Sequence, residues 1–534
     1  MLNYPIGVQD FEKIRKGGYV YVDKTALIYK LARGSVYFLG RPRRFGKSLL
    51  VSTLKYYFEG RRDLFEGLKI AELEQEWKKH PVFVFDFNLG NKKVPNGLRD
   101  YLLSVISKGE EDYGIEPLMK PDGSAPSLDA PMRFAHLVEK VHEKTGQQAV
   151  ALVDEYDKPL LDLLETGNPA DEAQLEANRE ELKNFFSTFK AADAHLRFVL
   201  LTGITKFSQV SMFSGVNQPD DISIDARFEA LCGVTEQELY TVFADSIAEL
   251  AEDRASTVEE MKDELKQQYD GYHFSKKLTD IYNPFSLLKC FAKNDINDYW
   301  FASGTPSFLM RLLSKCSEDV MLYTGRYYDE DTFVNYKADT AKPLPMIYQS
   351  GYLTIKECKT YDFDVVYTLG FPNAEVRKGF AECLFRHVTA RQMDTRQSST
   401  LQLAYFDFRE TNDLATFIEA IKTFFASVPY QWAWDNQNEH HYHALLYTLL
   451  VAFGADVRAE EPTAKGRSDI TLKMPKGIYV MELKYDKPVQ EALDQIDLKG
   501  YAEKYRLDGR PVTKIGLCFS SEERNISDWQ AVPL

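Results

Sequence analysis

The sequence predicts an α/β multidomain protein, and three observations support this fold class. The chain has 534 residues, 44% of them hydrophobic, which is enough for several domains of ~150 residues with separate cores. Short apolar runs in the first 205 residues predict strands of a parallel sheet, with helical segments between them. A second α/β pattern begins after about residue 430.

Four apolar runs are the predicted strands of the first sheet. Each run is rich in Val, Phe and Leu and lacks polar alternation, as expected for strands that helices cover on both faces. The runs are residues 35–39 (SVYFL), 82–87 (VFVFDF), 149–153 (AVALV) and 198–202 (FVLLT).

The middle of the chain is predicted to be mainly helical over residues 229–330. Residues 348–355 and 364–372 are then predicted as two strands around a polar turn, which with the preceding helical segment indicates a small winged-helix-like module. The resulting division is an N-terminal parallel-sheet domain (1–228), a helical and winged-helix-like region (229–375), a helical connector (376–430) and a C-terminal α/β domain (431–534).

The charge distribution excludes a protein with a uniformly basic surface for nucleic acid. The net charge is −15, from 65 basic and 80 acidic side chains. Residues 154–183 carry −7 and residues 245–266 carry −5 of this charge, which we interpret as two solvated acidic helices. Residues 456–487 carry seven basic and six acidic side chains, so a local C-terminal surface for a phosphate backbone remains open.

Cysteine spacing and hydropathy indicate a cytoplasmic protein without a membrane partner. The six cysteines form no CxxC pair, which argues against a zinc ribbon or a dense disulfide framework and favours reduced thiols. The N-terminal residues have no signal-peptide pattern. The longest apolar stretch, near residues 444–455, is shorter than the ~20 residues that a membrane helix needs.

A candidate phosphate-binding loop follows the first predicted strand. Gly46 can adopt the backbone angles that such a loop needs, Lys47 can pair with the β and γ phosphates, and Ser48 can offer a hydroxyl to Mg²⁺. The spacing departs from the usual pattern, because five residues separate Gly40 from Gly46 and Arg41 occupies the place of the first loop glycine.

Other polar residues near this loop leave alternatives open. Arg41, Arg43 and Arg44 add positive charge that either binds phosphate or pairs with acidic helices. Thr202 and Lys206 follow the fourth predicted strand. Sensing of the γ-phosphate and a capping or surface role fit these two residues equally well.

Two carboxylates follow the third predicted strand. Asp154 and Glu155 come directly after the buried run 149–153, at the edge of a parallel sheet where ligands bind. There Asp154 can hold the water shell of the metal, and Glu155 can polarise an attacking water. The alternative is that both residues merely begin a solvated acidic helix.

Five segments of the chain form a recognisable set. They are YVDKT (21–25), RPRRFGKSLL (41–50), VDEYDKP (153–159), LTGITKFS (201–208) and YNPFSLL (282–288). The set resembles the bacterial AAA-ATPase-like family, many of whose members carry a C-terminal PD-(D/E)XK nuclease-like domain. This resemblance implies a P-loop ATPase fold that binds ATP.

A second candidate site lies near the C-terminus. The segments DITLKM and IYVMELKY predict two strands joined by the turn PKG. Pairing about Lys476 places Asp469 nearly opposite Glu482, and strand alternation puts Lys484 on the same face. Two carboxylates and an ammonium suit metal-dependent phosphodiester hydrolysis. The alternative is a solvated strand face with Asp469 capping a turn.

The helix before this hairpin adds a carboxylate. Glu439 lies on the same side as the apolar stripe that begins at Tyr442, which makes it a candidate for an outer metal contact or for support of the ligands. The whole set resembles the PD-(D/E)XK nuclease site, with Ser468 in place of the Pro. Gln495 is similar to the downstream Gln that is frequent in that superfamily.

Several basic residues nearby carry weaker predictions. His440, His441 and His443 form a cluster, but no second ligand cluster has a suitable spacing, so we assign them no metal. Arg467 and Lys473 either contact phosphate or lie on a solvated surface.

The combined expectation is an ATP-binding P-loop protein whose nucleotide state gates a Mg²⁺-dependent nuclease, with Mn²⁺ as a substitute metal and DNA rather than RNA as the polymer. A homo-oligomer is a further expectation, and Arg227 is the candidate arginine finger. The alternative is an ATP-dependent regulatory or interaction protein whose nuclease-like domain is catalytically silent.

Overall fold

The computed structural model describes residues 2–164, 168, 171–206, 219–300, 323–335, 342–362, 364–389, 395–427, 439–453, 455–463 and 465–534. The chain divides into two compact units. The first comprises Met1–Leu312 and Arg326–Glu375, and the second comprises Leu313–Gly325 and Val376–Leu534. The four-part division of the sequence stays a prediction.

The four apolar runs form the predicted parallel sheet of the first unit. Its strands are β1 (Val36–Gly40), β2 (Val82–Asp86), β3 (Ala149–Asp154), β4 (Leu196–Gly203) and β5 (Asp220–Asp221). They are parallel and follow the order β2-β3-β4-β1-β5. Every residue of β3 is buried, as expected for a central strand. The short strand β5 was not predicted, because two aspartates make no apolar run.

Helices flank this sheet, and their ends follow local signals. Helix α6 begins after Asp129, which accepts a hydrogen bond from the Met132 main-chain N–H at 2.9 Å, and it ends at Gly146 with φ of 67°. The helices are α1 (Phe11–Lys16), α2 (Thr25–Ala32), α3 (Lys47–Phe58), α4 (Ile70–Leu73), α5 (Gly97–Tyr113), α6 (Ala130–Thr145), α7 (Lys158–Leu164) and α8 (Glu172–Ala191).

The rest of the first unit is mainly helical, as predicted. Thr235 and Thr257 each begin a helix with a capping box. The helices are α9 (Glu236–Val242), α10 (Ala244–Asp253), α11 (Val258–Tyr269), α12 (Pro284–Lys293), α13 (Glu330–Val334) and α14 (Leu344–Gln349). Two small antiparallel sheets accompany them, β6 (Val234–Thr235) with β7 (Ile281–Tyr282), and β8 (Tyr327–Tyr328), β10 (Asp364–Gly370) and β9 (Thr354–Tyr361) in that spatial order.

The predicted strand at 348–355 is wrong over most of its length. Tyr348 and Gln349 end helix α14, Gly351 turns the chain with φ of 87°, and strand β9 begins only at Thr354. The buried Leu344, Met346 and Ile347 anchor this turn of helix by their packing, which the short sequence window did not indicate. The hairpin of β9 with β10 is present, while its likeness to a winged helix stays a prediction.

The second unit combines helices with a mixed sheet. Its helices are α15 (Ala374–Thr389), whose first two residues belong to the first unit, α16 (Thr395–Thr411), α17 (Leu414–Ser427), α18 (Glu439–Ala452) and α19 (Val489–Lys499). Its strands, which pair in sequence order, are β11 (Asp456–Thr463), β12 (Gly466–Met474), β13 (Gly477–Tyr485), β14 (Val512–Ser520) and β15 (Asn525–Pro533). Only β13 and β14 pair in parallel, because α19 crosses between them.

Two further findings concern the whole described chain. None of its helices is both long and apolar enough to cross a membrane. Among the described residues, the cysteines at positions 232, 290, 358, 383 and 518 form no disulfide bond.

Candidate functional site

The loop after β1 has the backbone of an anion-binding site. Gly46 lies at the N-terminus of α3 in the left-handed region, with φ of 94°. Within the part of the chain that the structure describes, no side chain caps this helix. Its first main-chain N–H groups therefore remain available to a phosphate.

The Lys47 side chain folds back over the same loop. Its ammonium is buried and donates to the main-chain oxygens of Arg41 at 2.9 Å and Pro42 at 3.1 Å. These two carbonyls hold the positive charge at the mouth of the helix, where it adds to the helix dipole. The predicted juxtaposition of Gly46 and Lys47 at one helix N-terminus is therefore present.

The Arg41 side chain has different partners from those that the sequence predicted, which were phosphate or an acidic helix. Its side chain is buried and donates to the main-chain oxygens of Gly40 and Ser223, and its guanidinium carbon lies 4.1 Å from the centre of the Phe274 ring. Arg41 thus fills the space behind the loop and fixes the loop to the segment beyond β5. Where the usual loop has its first glycine, this loop has Arg41, whose side chain is fixed by hydrogen bonds.

Asp154, the last residue of β3, and Glu155, which follows it, lie in different environments. Asp154 is buried and accepts a hydrogen bond from the Thr202 hydroxyl at 2.6 Å. Glu155 has a positive φ of 52°, which is uncommon outside glycine. Burial raises the pKa of Glu155, which makes its carboxylate a stronger base.

Asp157 is a structural carboxylate that sequence reasoning missed. It is 1% exposed and accepts main-chain N–H bonds from Ile204 at 3.0 Å and Thr205 at 2.6 Å. Burial raises its pKa. The main-chain N–H of Lys206 donates to Gln349, so the chain after β4 is held from two sides. The sequence signal that could have identified Asp157 is its place as the third carboxylate of VDEYDKP (153–159).

A cavity of about 410 Å³ lies over the phosphate loop, within the usual size range of small-molecule sites. It brings together most of the predicted nucleotide residues, namely Arg43, Arg44, Gly46, Lys47, Ser48 and Glu155. Among the described residues, Gly40, Asp154 and Thr202 do not line it. Its other walls come from residues 5–9, Asn88, Lys158 and the aromatic side chains Phe285, Trp300 and Tyr352.

The remaining predicted residues of this unit are engaged elsewhere. Lys206 pairs with Asp221 at 2.5 Å, and Arg227 is exposed and pairs with Asp225 and Asp220. Neither side chain is among the described residues that line the cavity. The arginine finger therefore stays a prediction.

In the second unit, the hairpin of β12 and β13 has the register that the sequence predicts. Ile470 pairs with Met481 and Met474 with Gly477, so Asp469 continues this register opposite Glu482. A carboxylate oxygen of Asp469 accepts the Leu483 main-chain N–H at 2.8 Å. The two predicted carboxylates therefore converge.

Glu482 and Lys484 form a buried ion pair on this hairpin. Glu482 is 1% exposed, and its Oε1 lies 3.3 Å from the Lys484 ammonium. Burial, followed by the neighbouring charge of Asp469, raises the pKa of Glu482 to about 8. Its Oε2 is buried and has no hydrogen-bond donor among the described residues. Such an oxygen fits a cation ligand, since an unmatched buried carboxylate is costly.

The predicted supporting residues, Glu439 and Gln495, and the nearby histidines differ in how much the structure describes of them. Glu439 begins α18 as predicted, but its side chain lies outside the described residues, as do those of His440 and His441. The buried His443 contacts the main-chain oxygen of Asp469 at 2.9 Å through Nε2, a positioning contact that was not predicted. Gln495 contacts the Tyr501 hydroxyl at 3.5 Å.

The two basic candidates near the hairpin have protein partners. Arg467 donates to Glu460 at 2.8 Å, and the Lys473 ammonium lies 5.2 Å from the centre of the Tyr505 ring. The described side chains contain no group of three or more His, Cys, Asp or Glu arranged for a metal ion. Asp469 and Glu482 thus form a two-carboxylate pair.

These features define a P-loop parallel-sheet unit followed along the chain by a nuclease-like α/β unit. A family model described as predicted AAA-ATPase matches residues 5–213, and the PD-(D/E)XK nuclease superfamily model matches residues 437–529. An uncharacterized protein in the vnfD 5′ region of Azotobacter chroococcum mcd 1 is 36% identical over 530 residues, which cover 98% of this chain and 97% of that protein. The chain belongs to this AAA-ATPase-like family and carries a C-terminal PD-(D/E)XK superfamily domain.

Proposed function

We propose that this protein binds and hydrolyses ATP in its first unit and cleaves phosphodiester bonds of DNA in its second unit. The observation that carries the proposal is the convergence of Asp469 and Glu482 on neighbouring strands, with the Lys484 ammonium 3.3 Å from Glu482. An acid pair beside a buried amine is the donor set that metal-dependent phosphodiester hydrolysis needs.

The donor set fits Mg²⁺. Asp469 and Glu482 would hold the ion, since hard cations prefer carboxylate oxygens, and the unmatched buried Oε2 of Glu482 supports this assignment. Bound Mg²⁺ would supply charge neutralisation at the scissile phosphate and a more acidic water. Lys484, held by Glu482 and by the Leu483 main-chain oxygen at 2.8 Å, orients that water or stabilises the developing charge.

The first unit has the groups for ATP. Open N–H groups at the start of α3 and the Lys47 ammonium suit the triphosphate, and the Ser48 hydroxyl suits its Mg²⁺. Asp154, which lies behind the cavity lining and accepts the Thr202 hydroxyl, would act on the ion only through its water shell. Glu155 lines the same cavity, where its raised pKa suits a base that accepts a proton from an attacking water.

A substrate panel of plasmid, linear duplex and single-stranded DNA, with RNA in parallel, tests the nuclease. We expect Mg²⁺- or Mn²⁺-dependent cleavage by the wild type that Lys484→Ala abolishes, while ATP binding persists. The matched control is Lys476→Ala, which removes an exposed lysine at the turn of the same hairpin and should leave cleavage intact.

Retained cleavage in Lys484→Ala would contradict the assignment of the site. A second candidate function, a silent nuclease-like platform on an ATP-dependent regulator, predicts a different pattern. In that case Asp469→Asn and Glu482→Gln would change neither Mg²⁺ binding nor product, and no substrate of the panel would be cut by the wild type.

A further inference from the structure

Trp300 lies in the wall of the nucleotide cavity and also holds the phosphate loop. Its side chain lines the cavity together with Tyr352, and the two rings pack edge to face at 5.3 Å. The indole Nε1–H donates to the main-chain oxygen of Arg43 at 3.1 Å. Trp300 therefore contacts the loop that would surround the phosphates of a bound nucleotide.

The main chain of Trp300 is bound to a buried carboxylate. Glu375 is 1% exposed, and its Oε1 accepts the Trp300 N–H at 2.5 Å. Its Oε2 accepts the Ser286 hydroxyl at 2.8 Å. Burial raises the pKa of Glu375 to about 7, and glutamine has the same shape without the charge.

Both hydrogen-bond donors of Glu375 come from walls of the cavity. Ser286 lies in the first turn of α12, where its neighbours Pro284 and Phe285 line the cavity. Trp300 lines it as well. A change in the spacing of these walls must therefore change the hydrogen bonds to Glu375.

Glu375 also occupies a special place along the chain. It is the last residue of the first unit, and it lies in the first turn of α15, which continues into the second unit. The chain thus leaves the nucleotide-binding unit at the residue that both cavity walls hold.

We propose that Trp300 and Glu375 are positioning residues through which occupancy of the nucleotide cavity stabilises the first turns of α15. This inference rests on the proposed binding of ATP. A nucleotide that orders the loop around Arg43 favours one arrangement of Trp300. In it, the indole N–H donates to the Arg43 main-chain oxygen and the main-chain N–H donates to Glu375. A ligand shifts such an equilibrium only through contacts that differ between its two states, and these hydrogen bonds are such contacts.

Hydrogen exchange of the full chain, followed at residues 374–383 with and without Mg²⁺ and a non-hydrolysable ATP analogue, tests the link. In the wild type the analogue should slow exchange there about fivefold, the equivalent of one net hydrogen bond of about 1 kcal/mol. Measured at saturating analogue, Glu375→Ala should lose this effect and still bind the analogue, as checked directly with a fluorescent ATP derivative. Trp300→Phe, which also alters the cavity wall, should lose the effect at saturation as well. Glu375→Gln, which keeps an acceptor for the Trp300 N–H, should retain it.

The matched control is Trp77→Phe. The Trp77 indole donates to the Glu74 main-chain oxygen at 3.1 Å, so this change removes an equivalent hydrogen bond outside the cavity lining, and it should leave the analogue effect unchanged. If Glu375→Ala does not fold, Ser286→Ala takes its place.

The possible outcomes distinguish the proposed link, by which occupancy of the nucleotide cavity stabilises the first turns of α15, from the proposed binding of ATP. Analogue binding by the wild type without slower exchange at 374–383, or an undiminished effect in Trp300→Phe, would overturn the link and leave ATP binding standing. Absence of analogue binding by the wild type would overturn both.

Discussion

Buried carboxylates set the chemistry of both units at the residue scale. Asp154 was predicted from its position at the end of an apolar run and Glu482 from its place opposite Asp469 in a predicted hairpin, and both are buried. Asp157, two residues after Glu155, instead holds the chain after β4 by accepting two main-chain N–H groups. The residue type and the strand position predicted where carboxylates meet, but the partner of each carboxylate depends on segments distant in sequence.

Lys47→Ala should weaken ATP binding. An ammonium beside bound phosphates would make charge-assisted hydrogen bonds to them, each worth about 1.5–3 kcal/mol, so a loss of roughly 100-fold in affinity is expected. Equilibrium titration with a fluorescent ATP derivative measures it. Lys55→Ala, on the last turn of the same helix, is the control, and affinity within threefold of the wild type in Lys47→Ala would refute the role of Lys47.

Asp270→Asn should stabilise the protein, and more so at alkaline pH. Asp270 is 1% exposed, and neither of its oxygens has a hydrogen-bond donor among the described residues. Burial raises its pKa to about 7; the charges of Asp280 and Glu236 add to this rise, while the Gly271 main chain and Lys266 oppose it. Because the folded pKa exceeds the unfolded value of 3.8, this group favours folding at low pH and loses that contribution as pH rises toward 7.

The free energy of unfolding by denaturant measures this effect. The gain from Asp270→Asn should be larger at pH 8 than at pH 5.5 by about 2 kcal/mol. Asp263→Asn, an exposed change on helix α11, which Asp270 directly follows, should show no such difference. An equal gain at both pH values would mean that Asp270 does not titrate in this range.

At the scale of the element, strands and hairpins follow local patterns closely. The four apolar runs became strands β1 to β4, and the turn PKG closed the predicted hairpin. Helix α14 did not follow its local pattern, because the packing of Leu344, Met346 and Ile347 outweighs the strand propensity of residues 348–355. Elements with few residues depend most on such tertiary contacts.

The cap of α12 should support nucleotide binding. Asn283 accepts the main-chain N–H groups of Phe285 at 2.9 Å and Ser286 at 3.2 Å, and this first turn lines the cavity. Asn283→Ala should cost about 1 kcal/mol of stability and also lower ATP affinity. Denaturation and nucleotide titration measure the two effects.

Asp129→Ala provides the matched control, since Asp129 caps α6 outside the cavity lining. It should lose similar stability and keep the affinity. Unchanged affinity in Asn283→Ala would show that the cap has only a structural role.

At the scale of the whole molecule, the chain carries two chemical sets in two compact units. ATP at 100 times its Kd should stabilise the first unit by about 2.7 kcal/mol, because only the folded unit assembles the phosphate loop. Hydrogen exchange mapped over residues 36–58 checks this, and Mg²⁺ alone should instead protect residues 466–485. If ATP protected residues 466–485 from exchange, or Mg²⁺ alone protected residues 36–58, the assignment of one ligand to each unit would be contradicted.

The sequence by itself predicted the candidate site residues, and it determined the parallel strands of the first unit and the register of the C-terminal hairpin. These features depend on periodicity and on turns of a few residues, which neighbouring positions specify. Only the tertiary structure decided that Arg41 is clamped by the Ser223 main chain and that Glu375 is held by Trp300 and Ser286. Such partners lie many residues apart, and burial, which sets their hydrogen bonds and pKa values, arises only when those segments pack together.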